Sequence, residues 1–465
     1  MYPIVLLSVF GIVTLFLGFS KSKNILLPSV LLFLAIALAS NFVDWNQGPL
    51  LYFYDMLRVN NLTLAFNGIV LISAFMIVAI SGGFQDNADS EPAEYYALML
   101  LSLVGAIMMI GFEHLIMLFI GVEILSIAMY ILTGSNKRNL RSNEAALKYF
   151  LMGAFASGFM LFGMALLYGA TGSFSLSGIQ AFVSIGHAAM PSYILYAGLL
   201  LLLIGMLFKV SAAPFHFWTP DVYEGAPTIF TTFMSTIVKT AGFAAIYRLL
   251  DHSFTNIYSF WWIVVAAIAI LTLMVGNIGA TSQSSFKRML AYSGISHAGY
   301  LLIAVTALSK PTQNAIVFYS LAYSLSTICA FAVLILVSKE KTIDGQPDER
   351  YDAFNGLAKS NPFLAFVLTV SMLSLAGIPL TAGFWGKFFV FTSAADRGII
   401  WITVIAVLMS TVGIYYYFRV IIAAYLKEGD VSQIRVAPFY QVILVLATFF
   451  TLLFGIAPGL LEGII

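Results

Sequence analysis

Long apolar blocks, each about as long as a bilayer is thick, follow one another from end to end of the chain. There are fourteen, at residues 3–20, 25–42, 62–81, 94–112, 114–133, 145–168, 192–213, 226–248, 258–280, 285–307, 313–338, 361–394, 400–425 and 437–460. A hydrocarbon core roughly 30 Å thick needs about 20 helical residues to cross it. The blocks are solid rather than alternating, which excludes a barrel. An all-α polytopic membrane protein with about fourteen transmembrane helices is therefore expected. Composition agrees: 61% of residues are hydrophobic and 9% charged, with a mean hydropathy of +0.96, against about 25% charged in a soluble domain. The twelfth block is too long for one straight crossing, so it is expected to be broken or tilted.

Charge placement predicts the orientation. With the N-terminus outside, the odd-numbered connections hold Lys21, Lys23, Lys137, Arg138, Arg141, Lys287, Arg288, Lys339, Lys341, Arg350, Lys359, Lys427 and Arg435. The even-numbered ones hold only Arg58, Arg248, Lys310 and Arg397. Basic residues collect on the cytoplasmic side, so both termini are expected in the periplasm; the acidic connection 85–94 does not alter a rule that counts Lys and Arg. No basic residue precedes the first block, unlike a cleavable signal. The net charge of +1 gives no footprint for nucleic acid. Cys329 is the only cysteine, which leaves no Cys-ligated iron–sulfur cluster within the chain. Nucleotide-binding glycine motifs are absent. Any redox cofactor is expected on another subunit.

With the bases assigned to connections set aside, five remain inside the blocks, Lys148, Lys209, Lys239, Lys387 and Arg419, and among the acids only Glu123 lies well within one. Each costs about 2.5–3.5 kcal/mol at the bilayer centre even on the lenient insertion scale. Snorkelling to the interface is the bland explanation, best suited to Lys148 and Arg419 and least to the mid-block Lys239 and Lys387. Three lysines and a glutamate suit proton handling rather than metal binding, because hard cations need several oxygen ligands. A carboxylate about 4 Å from an amine gains about 4 kcal/mol at an effective dielectric near 20. Moving Glu123 toward or away from Lys209 would thus load or unload a proton.

Pro214 interrupts the seventh block just beyond Lys209, and Pro379 interrupts the twelfth before Lys387. Proline frees carbonyls, and broken helices mark ion paths in transporters; a plain kink is the alternative. The breaks fall fourth in two runs of five spans, so the chain divides into 1–93, a first five-helix repeat at 94–250, a second at 251–427, and a last helix at 428–465. An odd number of helices per repeat makes the two inverted. The tenth block carries Tyr292, Ser293, Ser296, His297 and Tyr300 at helical spacing. His297 is a candidate proton relay or a satisfied helix–helix hydrogen bond. His216, Asp221 and Glu224 either line an entrance or are simply solvated.

Four stretches, 208-FKVSAAPFHFWTPDVYEGAP-227, 286-FKRMLAYSGISHAGYLL-302, 372-MLSLAGIPLTAGFWGKF-388 and 141-RSNEAALKYFLMGA-154, resemble one family. The chain is similar over nearly its whole length to the subunit N family of bacterial-type NADH–quinone oxidoreductase (respiratory complex I), one of its antiporter-like membrane subunits. The resemblance implies fourteen core helices and roles by position: Glu123 as the fifth-helix glutamate, Lys209 its seventh-helix partner, Lys239 the central eighth-helix lysine, Lys387 the twelfth-helix lysine and His297 part of the axis between half-channels. Lysine at 387, where one sister subunit carries glutamate, and a chain ending near 465 without a long lateral helix fit subunit N. Ser-Ile-Ala-Met after Glu123 departs from the proline often found there in relatives, so no kink is implied. The resemblance also implies a bacterial inner membrane, neighbouring membrane subunits, and FMN, iron–sulfur clusters and quinone on other chains. The rival readings are a subunit of a multi-subunit Na⁺/H⁺ antiporter or membrane-bound hydrogenase, and a scaffold with a vestigial polar axis.

Overall fold

In a computed structural model, residues 1–20, 22–82, 91–186, 193–343, 346–429 and 433–461 are described; most of the acidic connection 85–94 lies outside them. Helices α1 (Tyr2–Leu17), α2 (Leu26–Asn41), α3 (Asn61–Ala79), α4 (Pro92–Gly111), α5 (Leu115–Thr133) and α6 (Leu140–Thr171) cover the first six apolar blocks. The short α7 (Leu176–Gly186) was not anticipated. It is amphipathic, burying Leu176, Ile179 and Val183 at helical spacing. The seventh block is α8 (Tyr193–Lys209), followed after the break by α9 (Trp218–Gly225). The eighth is α10 (Thr228–Ser253), with a π turn at Met234–Val238 directly before Lys239.

Helices also make up most of the rest of the chain. Helices α11 (Tyr258–Thr281), α12 (Phe286–Ala307) and α13 (Thr312–Glu340) precede the twelfth block. That block is indeed broken, into α14 (Pro362–Ala376) and α15 (Ala382–Asp396). Helices α16 (Ile400–Leu426) and α17 (Pro438–Ile456) complete the chain. Among the described residues, 11 helices are long and apolar enough to cross a membrane. Three shorter apolar ones, Tyr2–Leu17, Tyr193–Lys209 and Pro362–Ala376, are the first span and the leading halves of the two broken spans.

Lipid tails are as apolar as leucine, so helices in a bilayer pack through small residues that let backbones approach. A Cβ at Gly105 of α4 would lie 2.6 Å from the Gly121 carbonyl oxygen of α5, and one at Gly121 would lie 2.9 Å from that of Gly105. Gly163 of α6 and Gly198 of α8 make the same reciprocal contact, at 2.7 and 3.0 Å. Helix α10 runs through the interior, while α6, α16 and α17 turn Phe155, Leu161, Val404, Leu408 and Phe449 outward. Odd-numbered connections meet one another at one end of the bundle, as in the 2.6 Å bridge from Lys23 to Glu91. Even-numbered ones meet at the other, where Arg58 of the hairpin Leu50–Tyr52/Leu57–Val59 reaches His252.

Candidate proton-transfer site

Glu123 sits on α5, half-buried, and accepts a hydrogen bond from Ser157 of α6. Lys209 ends α8 and is buried. Its amine lies over the rings of Tyr130 and Tyr149, 5.5 and 5.3 Å from their centroids, within cation–π range. The glutamate and the lysine are not ion-paired among the described residues; each is held by another group. The break beyond Lys209 is closed by protein. Trp218 Nε1 donates to the Phe208 carbonyl at 3.1 Å, and the Ala213 amide donates to Thr272 of α11 at 2.9 Å.

Lys239 follows the π turn of α10, is 2% exposed and has no hydrogen-bond partner among the described residues. Its amine lies over the Tyr223 ring, 5.7 Å from the centroid. Aromatic rings connect the two lysines. Tyr149 stacks on Trp218 at 4.4 Å, and Trp218 meets Tyr223 edge-on at 6.0 Å. On its other side Lys239 approaches Gly294 of α12, where an added Cβ would lie 2.6 Å from Nζ and 3.1 Å from the Tyr323 hydroxyl of α13.

His297 stands one turn along α12 from Gly294. Its Nδ1 lies 2.6 Å from the Tyr319 hydroxyl and its Nε2 3.1 Å from that of Tyr417. Both nitrogens are therefore engaged, and the rings of Tyr323 and Tyr300 flank it at 4.8 and 6.0 Å. Lys387 of α15 donates to the Ala376 carbonyl at 2.7 Å and to Ser410 of α16 at 2.9 Å, with its amine 4.9 Å from the Tyr300 ring centroid. Ala376 is the last residue of α14, so the carbonyl freed by the break is met by the lysine of the other half-helix. A small cavity beside His297 is lined by Tyr319, Tyr323, Ser374 and Gly383. Of the five residues singled out from sequence, Lys209, Lys239, His297 and Lys387 each pack against tyrosine rings, while Glu123 is held by Ser157.

The two marginal cations are structural. Lys148 pairs with Glu144 at 2.7 Å and Asp221 at 2.9 Å. Arg419 donates to the carbonyls of Thr281 and Gln283, where α11 ends, and covers the Tyr351 ring. Asp221 and Glu224 are ion-paired rather than simply solvated: Arg288 Nη1 reaches them at 2.9 and 2.7 Å. Burial opposes ionisation of Asp221, yet Lys148 and Arg288 hold its carboxyl below the usual value of 3.8. Lys287, expected in a connection, is 3% exposed and bridges Glu349 at 2.9 Å and the Ala226 carbonyl at 2.7 Å.

A second buried cluster escaped the sequence. Arg248, assigned to a connection, is 7% exposed and lies 3.6 Å from Glu113, which His252 approaches at 3.3 Å. The aromatic path was likewise missed. Its sequence signal is aromatic residues in and between apolar blocks, Tyr149 in the sixth and Trp218 and Tyr223 between the seventh and eighth, which core packing explains equally well.

The fold and this row of embedded amines define a polytopic subunit of the cation-antiporter type. Residues 113–415 match the family model described as NADH:quinone oxidoreductase/Mrp antiporter, TM. NADH-quinone oxidoreductase subunit N of Cytophaga hutchinsonii is 41% identical over 100% of this chain and 99% of its own length. Its counterpart in Trichlorobacter lovleyi is 42% identical over 92% and 87%. A chain of respiratory complex I from Thermus thermophilus with bound aureothin superposes with a TM-score of 0.85 at 35% identity, covering 99% of each. The Mrp complex from Dietzia, at 20% identity and a TM-score of 0.85 over 100% of this chain and 96% of its own, shares the fold. The chain belongs to the subunit N family of NADH-quinone oxidoreductase.

Proposed function

We propose that this chain is a proton-translocating membrane subunit of an NADH:quinone oxidoreductase, driven by quinone reduction on other subunits. The observation that carries the reading is the row of buried amines Lys209, Lys239 and Lys387 with His297 beside them, packed against the rings of Tyr149, Tyr223, Tyr323 and Tyr300, and Glu123 on α5 held by Ser157. A buried amine carries a proton that a nearby anion stabilises. Withdrawal of Glu123 from Lys209 destabilises that proton and sends it toward Lys239, whose unpartnered amine receives it. His297 relays it to Lys387. The matching positions of the two broken spans support reading 94–250 and 251–427 as inverted repeats between the helices of 1–93 and 428–465. The positive-inside bias supports periplasmic termini in a bacterial inner membrane. FMN, iron–sulfur clusters and quinone belong to partner chains, and the neighbours here are other membrane subunits. A Na⁺/H⁺ antiporter subunit is the weaker reading, because amines supply no oxygen cage for sodium.

The test is reconstitution of the purified complex into vesicles with a pH dye. Lys239→Met should leave the complex assembled while NADH-driven proton uptake falls at least about tenfold, the effect of raising a barrier by about 1.4 kcal/mol. Wild-type proton uptake in that variant would overturn the assignment. A proton signal that depends on a sodium gradient would favour the antiporter.

A further inference from the structure

Away from the lysine path, a cleft of about 460 Å³ opens between α3 and α13 at the bundle end that carries Trp45 and Pro311. Its walls are Gly68 and Ile72 of α3 and Phe318 and Leu321 of α13, with Phe42 at the mouth, 48% exposed. No charged residue lines it among the described residues. Polar character is confined to one end. Trp45 and Asn314 are among its lining residues, and the exposed Lys310, itself outside the lining, immediately precedes Pro311 in the wall.

Protein interiors leave few voids larger than a water molecule, and a buried water needs two to four polar partners, which these walls do not offer. A whole helix about 10 Å across would displace roughly 850 Å³ over two turns, so the cleft could take only the side chains of one. A single flexible hydrocarbon chain fits. Tryptophan gathers at the headgroup level, and the ammonium of an exposed lysine at that level attracts a lipid phosphate by its charge.

We propose that this cleft binds one acyl chain of an anionic diacyl phospholipid, with its phosphate beside Lys310 and Trp45. The tail seals the junction between α3 and α13, which join the first helices of the chain to the second five-helix block.

The test uses the intact complex in vesicles containing phosphatidylglycerol with a photoreactive tail, followed by peptide mapping of the label. Label is expected in 64–72 and 311–321. In Gly68→Leu, the new Cβ meets Phe42 at 3.6 Å and Asn41 at 3.9 Å, ordinary contacts, so the side chain enters the cleft rather than moving the backbone. Labelling there should fall about tenfold. Lys310→Glu should keep tail labelling but lower the preference for phosphatidylglycerol over phosphatidylcholine about fivefold. No label in the wild-type cleft would overturn the proposal, as would undiminished label in Gly68→Leu. Displacement of the label by an isoprenoid quinone, or a cross-link from the cleft to a neighbouring subunit that persists in excess lipid, would also overturn it.

Discussion

Lys387 Nζ donates at 2.7 Å to the carbonyl oxygen of Ala376, the residue that ends the first half of the broken twelfth span. The break and the charge therefore stabilise each other. A lone carbonyl in lipid and a lone amine in lipid are each costly, and together they form a charge-assisted hydrogen bond. Replacing Lys387 with methionine should both stop proton exit and leave the Ala376 carbonyl unpaired. The expected result is loss of proton uptake with a lowered melting temperature of the complex. Retained uptake would show that the lysine only closes the helix.

Gly294 leaves room for the Lys239 amine. A Cβ there would lie 2.6 Å from Nζ, the far end of a flexible side chain, so Gly294→Ala should fold and assemble while displacing the amine. NADH-driven proton uptake is expected to drop severalfold at unchanged complex yield. Unaltered uptake would mean that Lys239 need not occupy this position.

The reciprocal approach of Gly105 and Gly121 sets the α4–α5 crossing two residues before Glu123. Gly121→Leu should force the helices apart, at a cost of at least the 1–3 kcal/mol typical of overpacking. Reduced subunit incorporation, read on native gels, is the expected outcome. Normal incorporation with normal thermal stability would contradict the close packing.

Glu113 and Arg248 form a pair with both side chains under one-tenth exposed. Removing one partner of a buried pair costs about 3–5 kcal/mol, because the other charge stays behind. Arg248→Met should therefore destabilise more than the double variant Glu113→Gln, Arg248→Met. Equal melting temperatures for the two would dissolve the pairing.

Asp221 ties Lys148 of α6 to Arg288 of α12. Its carboxyl titrates below the usual 3.8 in the fold. The pair thus contributes stability that is present above the ordinary carboxyl value and is lost as pH falls through the lowered one. Asp221→Asn should lower the melting temperature at pH 7 and make acid melting below about pH 4 less steep. Identical acid melting curves would remove the tie.

The candidate residues were legible in the chain because an ionisable residue in an apolar block is conspicuous wherever it folds: Lys209, Lys239, His297 and Lys387 are buried, and Glu123 is half-buried against Ser157. What joins them was not visible. Tyr149, Trp218 and Tyr223 come from α6 and α9, and nothing local distinguishes a bridging tyrosine from a packing one. Position within a block also misled at the margins. Arg248 and Lys287 read as solvated ends yet are buried, since burial depends on which neighbouring element covers the end.

By itself the sequence determined the number of crossings, the two breaks and the presence of charge at membrane depth. These follow from local length, proline chemistry and the cost of an ion in hydrocarbon. Tertiary structure alone decided that Glu123 rests on Ser157 rather than on Lys209, that Lys387 meets Ala376, and that α3 and α13 leave a cleft between them. Those outcomes depend on how helices distant in the chain approach, and glycine contacts and ion pairs set that approach only after the bundle has assembled.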